Sequence, residues 1–369
     1  MKIKPQIIGL PPYKPGKPME DVKRELGLET VVKLASNENP FGASPKVAEA
    51  IQEALHHTAI YPDGYARTLR DKVAHYVGVA PEELIFGNGS DEVIQILCRA
   101  FLNEQTNTVM AEPTFSQYKL NAVIEGAELR EVPLKDGVHD LDGMLEVIDE
   151  NTRIVWVCNP NNPTGTYVSA EAFQSFLAKV PEDVLVVSDE AYVEYVTADD
   201  YPDTVPMIRT YKNLVVLRTF SKVFGLAALR IGYGVANQAL IEKIEPVRPP
   251  FNNSTFSQVA AVAALEDEAF VQSSVEKNNE GMEQLTEWCS RMGLDYFPSQ
   301  TNFLLIHVNR SSDDVFNAML KKGYIIRSGR ALGYPAWIRI TIGSKEQNDG
   351  CLAALADVLA EELTTQHLS

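Results

Sequence analysis

The chain has 369 residues with 45% hydrophobic content, enough to bury a sizeable core and, on ordinary domain sizes, to form two domains. Lys and Arg total 33 against 50 Asp and Glu, giving a formal net charge of −17 and a pI of about 4.9. That balance excludes a general nucleic-acid or anionic-membrane surface, which needs clustered positive charge, and no apolar stretch approaches a membrane span.

Residues 1–40 are rich in Pro and Gly and are expected to form an arm that contributes to a smaller domain and to an active site. In "MKIKPQIIGLPPYKPGKP" these residues interrupt the chain before an apolar run of signal-peptide length develops, so the cytoplasm is the expected location. Residues 41–250 read as a large domain. Short β-rich runs alternate there with helix-period segments: "ELIFG", "NTVMAE", "ELREVPL", "TRIVWVC", "DVLVVSD", "NLVVLRT" and "RIGYGVA". Several are continuously apolar, which predicts an α/β layer with a seven-stranded, mostly parallel sheet between helices. Residues 251–369 differ, with long helical patterns before "TNFLLIHV", "GYIIRSG" and "AWIRITIG" and a final helix, which predicts a smaller α+β domain. Cys98, Cys158, Cys289 and Cys351 are far apart and form no CxxC pair, as expected of reduced structural thiols. The six histidines show no metal-ligand spacing, and no metal is expected.

In open α/β sheets ligands gather beyond the carboxyl ends of the strands, so the residues after each run are the informative ones. After "ELIFG" comes "NGSDEVIQILCRAFL", with Ser90 as an N-cap and glycines that let a backbone approach a ligand. Alone it reads equally as a capped βα turn. After "TRIVWVC" comes "NPNNPTG", either a turn-rich loop or a means of pointing the Asn162 amide at a polar ring. After "DVLVVS" comes Asp189, a carboxylate that requires a partner if buried. After "NLVVLRT" come Phe220, Ser221 and Lys222. Kept from open water, a lysine loses solvation of its ammonium and becomes a neutral nucleophile; its head can equally snorkel to water.

"NPNNPTG", "DEAYVEY" and "TFSKVFGLAALRIGY" resemble, in order and spacing, the motifs of the fold-type I pyridoxal-phosphate aminotransferases. "LASNENPFG", "YPDGYARTLR", "GNGSDE" and "YIIRSGRALGYPAWIRITIG" are similar to the histidinol-phosphate aminotransferase subgroup, and the likeness spans essentially the whole chain. The resemblance implies transamination of L-histidinol phosphate with 2-oxoglutarate, as in histidine biosynthesis. It implies that Lys222 carries pyridoxal phosphate as a Schiff base and shuttles a proton, that Asp189 keeps the ring nitrogen protonated, and that Tyr192 and Asn162 bond the phenolic oxygen. It puts Ser90, Asp91 through its backbone N–H, Thr219, Ser221 and Arg230 on the cofactor phosphate, and Phe115 against the ring. Tyr61 is assigned to the neighbouring subunit's phosphate, hence a homodimer, and Tyr13, Asn37, Arg327 and Arg339 to substrate. In "AWIRITIG" Trp337, Arg339 and Thr341 share one strand face, so Arg339 also reads simply as polar-face residue; Arg327 also reads as a structural ion pair. An aromatic or broad-range aminotransferase, or a phosphoamino-acid decarboxylase, would keep the same catalytic set. A pyridoxal-phosphate-sensing regulator would carry a DNA-binding extension and a basic patch, neither of which is expected here.

Overall fold

The computed structural model describes residues 2–10 and 18–361; Tyr13 lies outside the described residues. In chain order the described strands are β1 (Val32–Lys33), β2 (Leu84–Gly87), β3 (Asn107–Glu112), β4 (Glu128–Pro133), β5 (Thr152–Cys158), β6 (Leu185–Asp189), β7 (Leu214–Thr219), β8 (Gly232–Ala236), β9 (Phe303–His307), β10 (Tyr324–Ile325), β11 (Arg327–Ser328) and β12 (Trp337–Thr341).

Strands β2 to β8 are the seven runs expected from the sequence. They form one sheet in the order β2-β8-β7-β6-β5-β3-β4, parallel except for β8, which is antiparallel to both β2 and β7. Their apolar runs reflect burial on both faces. In β5, Val155 and Val157 enter one core while Ile154, Trp156 and Cys158 enter the other; in β7, Leu214 and Val216 part from Val215 and Leu217 in the same way. Helix Gly89–Phe101 begins one residue before Ser90, with Asn88 rather than Ser90 at the N-cap position. The Asn88 N–H is met by the Glu92 carboxylate at 2.9 Å, so the turn is closed from inside the helix and the Ser90 hydroxyl faces the cleft described below.

Strands β11, β12 and β9 form a second, antiparallel sheet. Ile338, Ile340 and Ile342 point into its core with Leu304, Ile306, Leu285 and Leu355, which leaves Arg339 and Thr341 on the opposite face. The expected single run "GYIIRSG" is divided between β10 and β11. Its consecutive residues Ile325 and Ile326 bury into different cores, so β10 pairs with β1 and β11 with β12. Helix Thr255–Leu265 follows the expected domain boundary at 250/251, yet its Ala260, Ala261, Ala263 and Ala264 belong to the core on the large sheet. The 25-residue helix Glu268–Met292 then carries the chain to the smaller sheet. Among the described residues no helix is long and apolar enough to cross a membrane.

Gly232, at the start of β8, sets how closely the two halves of the site approach. A Cβ there would lie 2.5 Å from Ser90 N and 2.7 Å from Gly89 C, both backbone atoms that cannot rotate away. Gly232→Ala is expected to push the helix start off the sheet and to destabilise the protein by about 1–3 kcal/mol, as overpacking does. Denaturant unfolding checks this, and an unchanged midpoint would show that the contact is not tight.

Candidate active site

Beyond the carboxyl ends of β3, β5, β6 and β7 lies a cleft of about 780 Å³, closed on its far side by residues of β11 and β12. The fold brings to it Asn37, Ser90, Asp91, Phe115, Asn162, Asp189, Tyr192, Thr219, Ser221, Lys222, Arg230, Arg327 and Arg339. Tyr61 is not among them. It is 80% exposed and stacks on Phe251, with ring centroids 4.8 Å apart.

Asp189 ends β6 in the middle of the sheet and is 3% exposed. Its Oδ2 accepts a 2.6 Å hydrogen bond from the Tyr118 hydroxyl, while its Oδ1 is buried without a hydrogen-bond partner among the described residues. Burial pushes the carboxyl up to about 6, against the opposing pull of the Tyr118 bond. Tyr118 is held in turn by stacking on Trp156 at 4.7 Å and by an edge contact with Phe115 at 5.5 Å. Phe115 lines the cleft just before helix Ser116–Glu125, and Tyr118, in the first turn of that helix, is buried behind it. In the sequence Tyr118 stands in "EPTFSQY", three residues beyond the position that the resemblance marks.

Lys222 follows β7. Burial, reinforced by the positive charge of Arg339, pushes its amine down to about 8, so a neutral fraction exists near physiological pH. Its Nζ lies 5.4 Å from the centre of the Tyr192 ring. The Tyr192 hydroxyl accepts from Asn37 Nδ2 at 2.9 Å, and Asn37 is fixed by Thr341, whose Oγ1 accepts from its backbone N–H at 3.0 Å. Asn37 adopts φ 56°, a left-handed conformation asparagine tolerates better than most residues. Arg339, 6% exposed, donates to the side-chain oxygen of Asn162 and, at 3.1 Å, to the Ala35 carbonyl, with its guanidinium 4.9 Å from the Phe303 ring centre. Arg327 is the register partner of Arg339, so two guanidinium groups enter the cleft from adjacent strands.

At the other end of the cleft the helix start at Gly89 and Ser90 faces Thr219, Ser221 and Arg230. The Arg230 Nη1 donates to Ser221 Oγ at 3.3 Å, and Thr219 Oγ1 accepts from the Ser221 N–H at 3.1 Å. Gly89 has φ 72°, a left-handed backbone that favours glycine, and a Cβ there would also press on the movable end of Arg230, 2.7 Å away. The Asp91 side chain was not expected to take part; it pairs with Arg230 Nη2 at 3.1 Å, which keeps its charge engaged. Hydroxyls, helix-start N–H groups and one guanidinium thus converge as a cup for an anion.

The sequence profile of the family described as "Aminotransferase class I and II" matches residues 29–355. The chain belongs to that family. Curated relatives of this aminotransferase include the histidinol-phosphate aminotransferases of Geobacillus sp. (strain WCH70), 60% identical over 98% of this chain and 99% of that one, and of Bacillus subtilis (strain 168), 59% identical over 97% and 100%. Among solved structures, the histidinol-phosphate aminotransferase of Sinorhizobium meliloti in complex with pyridoxal-5'-phosphate superposes with a TM-score of 0.89 at 28% identity, covering 97% of each chain. An aspartate aminotransferase double mutant of Thermus thermophilus, 21% identical, shares the fold with a TM-score of 0.83 over 97% of this chain and all of that one. The aminotransferase also has a buried pair beneath its site that the sequence did not disclose: Glu190, just after Asp189, meets Arg218 of β7 at 2.9 Å and locks the two strand ends that carry Asp189 and Lys222.

The Asp189 carboxyl has a pH signature. Its folded-state value of about 6 lies above the ordinary 3.8, so the buried charge costs stability in full above pH 6 and nothing below 3.8. In the cofactor-free protein, wild type should therefore gain on Asp189→Asn as pH falls from 7 to 4, by up to about 3 kcal/mol for a shift of some two pH units. Unfolding curves across that range check it; a pH-independent difference would mean that the carboxyl titrates normally.

Proposed function

We propose that this chain transfers the amino group of L-histidinol phosphate to 2-oxoglutarate, giving imidazole acetol phosphate and L-glutamate, with pyridoxal phosphate as its cofactor, in histidine biosynthesis. The observation that carries the chemistry is that one cleft holds a buried, unpaired carboxylate oxygen on Asp189, a low-pKa amine on Lys222 and a cup for an anion. A pyridine ring bearing an aldehyde and a phosphate ester fits this set: the N–H of its protonated ring would supply the donor that Asp189 Oδ1 lacks. The relatives at 59–60% identity carry the substrate assignment.

When bound, pyridoxal phosphate supplies an electrophilic carbon that captures a substrate amine and a protonated ring that accepts the electron pair left on Cα. The protein's residues do the rest. Ser90, Thr219, Ser221 and Arg230 hold the phosphate, with the Asp91 backbone at the helix start. Phe115 would pack on the ring, and Asp189, itself oriented by Tyr118, would keep the proton on the ring nitrogen. Tyr192 and Asn162 bond the phenolic oxygen. Lys222, whose amine is neutral in part, would bind the cofactor's electrophilic carbon and serve as the base that takes the proton from the substrate Cα. Arg339 and Arg327 would hold the substrate's anionic arm, with Asn37 beside it. Because a guanidinium fork accepts either a phosphate ester or a carboxylate, the two half-reactions can share one site.

The working unit in this reading is a cytoplasmic homodimer. In it Tyr61, exposed in the single chain and stacked on Phe251, would serve the cofactor phosphate of the neighbouring subunit.

Lys222→Ala should retain the fold and lose at least about 10²-fold in turnover, the range typical of a positioned acid–base; near-normal turnover would remove Lys222 from its role. Mixing protein that carries pyridoxal phosphate with L-histidinol phosphate should bleach the cofactor absorption faster than L-phenylalanine does, whereas a response to phenylalanine alone would reassign the substrate as aromatic. If Tyr61 serves its partner, Lys222→Ala and inactive Tyr61→Ala subunits, unfolded and refolded together, should recover about a quarter of wild-type activity, since half the dimers are mixed and each has one intact site of two. No recovery would mean that Tyr61 acts elsewhere.

A further inference from the structure

The anion cup hangs from the edge of the sheet. β2 is an edge strand, and the turn Gly87–Asp91 that follows it supplies the helix-start N–H groups of the cup. Such an edge leaves backbone carbonyls without a strand partner. Side chains meet them here: Arg70 Nη1 donates to Leu84 O at 2.5 Å, Asn252 Nδ2 to Phe86 O at 3.0 Å and Asn253 Nδ2 to Gly87 O at 3.0 Å. The last two grip the strand where it enters the cup.

Asn252 does more than cover the edge. Its second Nδ2 hydrogen goes to Glu92 Oε2 at 2.6 Å, its Oδ1 accepts from Arg248 Nη1 at 2.8 Å, and its backbone carbonyl accepts from Asn88 Nδ2 at 2.7 Å. Asn88 donates to the same Glu92 oxygen from its backbone, at 2.9 Å, and from its side chain, at 3.2 Å. This orientation of the amide is the one that sets a donor against a carboxylate and an acceptor against a guanidinium, so carboxamide chemistry is required and aspartate would lose both donors. Three N–H groups on Glu92 Oε2 hold that negative charge in the turn's own bonds. Phe251, just before the pair, is held at φ 54° with its ring on Tyr61, a strained backbone that sends the two asparagines inward.

We infer that Asn252 and Asn253 are positioning residues for cofactor phosphate: from 160 residues further along the chain they set the shape of the turn at Gly87–Asp91 and thereby the strength of anion binding. The inference rests on the pyridoxal-phosphate reading above.

The test titrates cofactor-free wild type, Asn252→Ala, Asn253→Ala and Arg70→Gln with pyridoxal phosphate and with pyridoxal, which lacks the phosphate. Each asparagine variant should bind pyridoxal phosphate about tenfold more weakly, the scale of one or two lost hydrogen bonds, and bind pyridoxal within about twofold of wild type. Arg70→Gln, which uncovers the same edge away from the cup, should lower the melting temperature and leave the ratio of the two affinities unchanged. Equal losses for both ligands, unchanged affinity in both asparagine variants, or an equal change of ratio in Arg70→Gln would overturn the inference; the paired variants guard against one failing to fold. Wild type that takes up no pyridoxal phosphate would instead sink the cofactor reading itself.

Discussion

A carboxylate at the carboxyl end of the central strand of a fully covered sheet is the constraint on which the rest of this structure depends. Asp189 is all but removed from solvent; Tyr118 meets its Oδ2, and among the described residues no hydrogen bond meets its Oδ1. The unmet oxygen costs free energy that only a donor entering from the cleft can return. The surrounding residues serve to hold that oxygen still. Trp156 and Phe115 fix Tyr118 from two sides, and the Glu190–Arg218 pair clamps β6 to β7, so the distance from Asp189 to Lys222 is set by buried structure rather than by mobile side chains.

The same economy governs charge. In a chain of net charge −17, five cationic side chains line one cleft: Lys119, Lys222, Arg230, Arg327 and Arg339. Burial first, and then the charges of Arg339 and Arg230, depress the Lys222 amine, which is the state a nucleophile needs. Arg230 also has an internal substitute for a ligand in Asp91; both are about two-fifths exposed, and so solvent-screened a contact yields easily to a doubly charged phosphate.

How much of this was legible in the sequence follows from where each signal is stored. The seven strands of the large sheet were legible because burial on both faces forces continuous apolar runs, and Ile338, Ile340 and Ile342 revealed the facing of β12 through strict alternation. Asp189, Lys222 and Asn162 were legible because open α/β sheets put function just after strands. Other features lie in pairings that no local pattern records. Tyr118 looks like any aromatic on a helix until β6 is laid beside it. The division of "GYIIRSG" depends on two adjacent isoleucines entering different cores, and the start of helix Gly89–Phe101 on a carboxylate that closes the turn from within. Asn252 and Asn253 read as a polar loop; their meaning appears only against an edge strand far earlier in the chain.

These groups share one thermodynamic character. An unpaired Asp189 oxygen, a desolvated Lys222, clustered guanidinium groups and left-handed backbones at Asn37, Arg230 and Phe251 each make the empty protein less stable than a repacked alternative would be. A ligand that donates to the first, bonds to the second and neutralises the third returns these costs together. Its binding is then coupled to folding by mass action, since the unfolded chain offers it no such site. The strain is spread over segments far apart in sequence, the arm at Asn37, the turn at Gly89, the strand ends at 189 and 219, and the loop at Phe251. The cofactor in this reading is therefore part of the protein's architecture as well as its chemistry, because it is the single group on which all five segments converge.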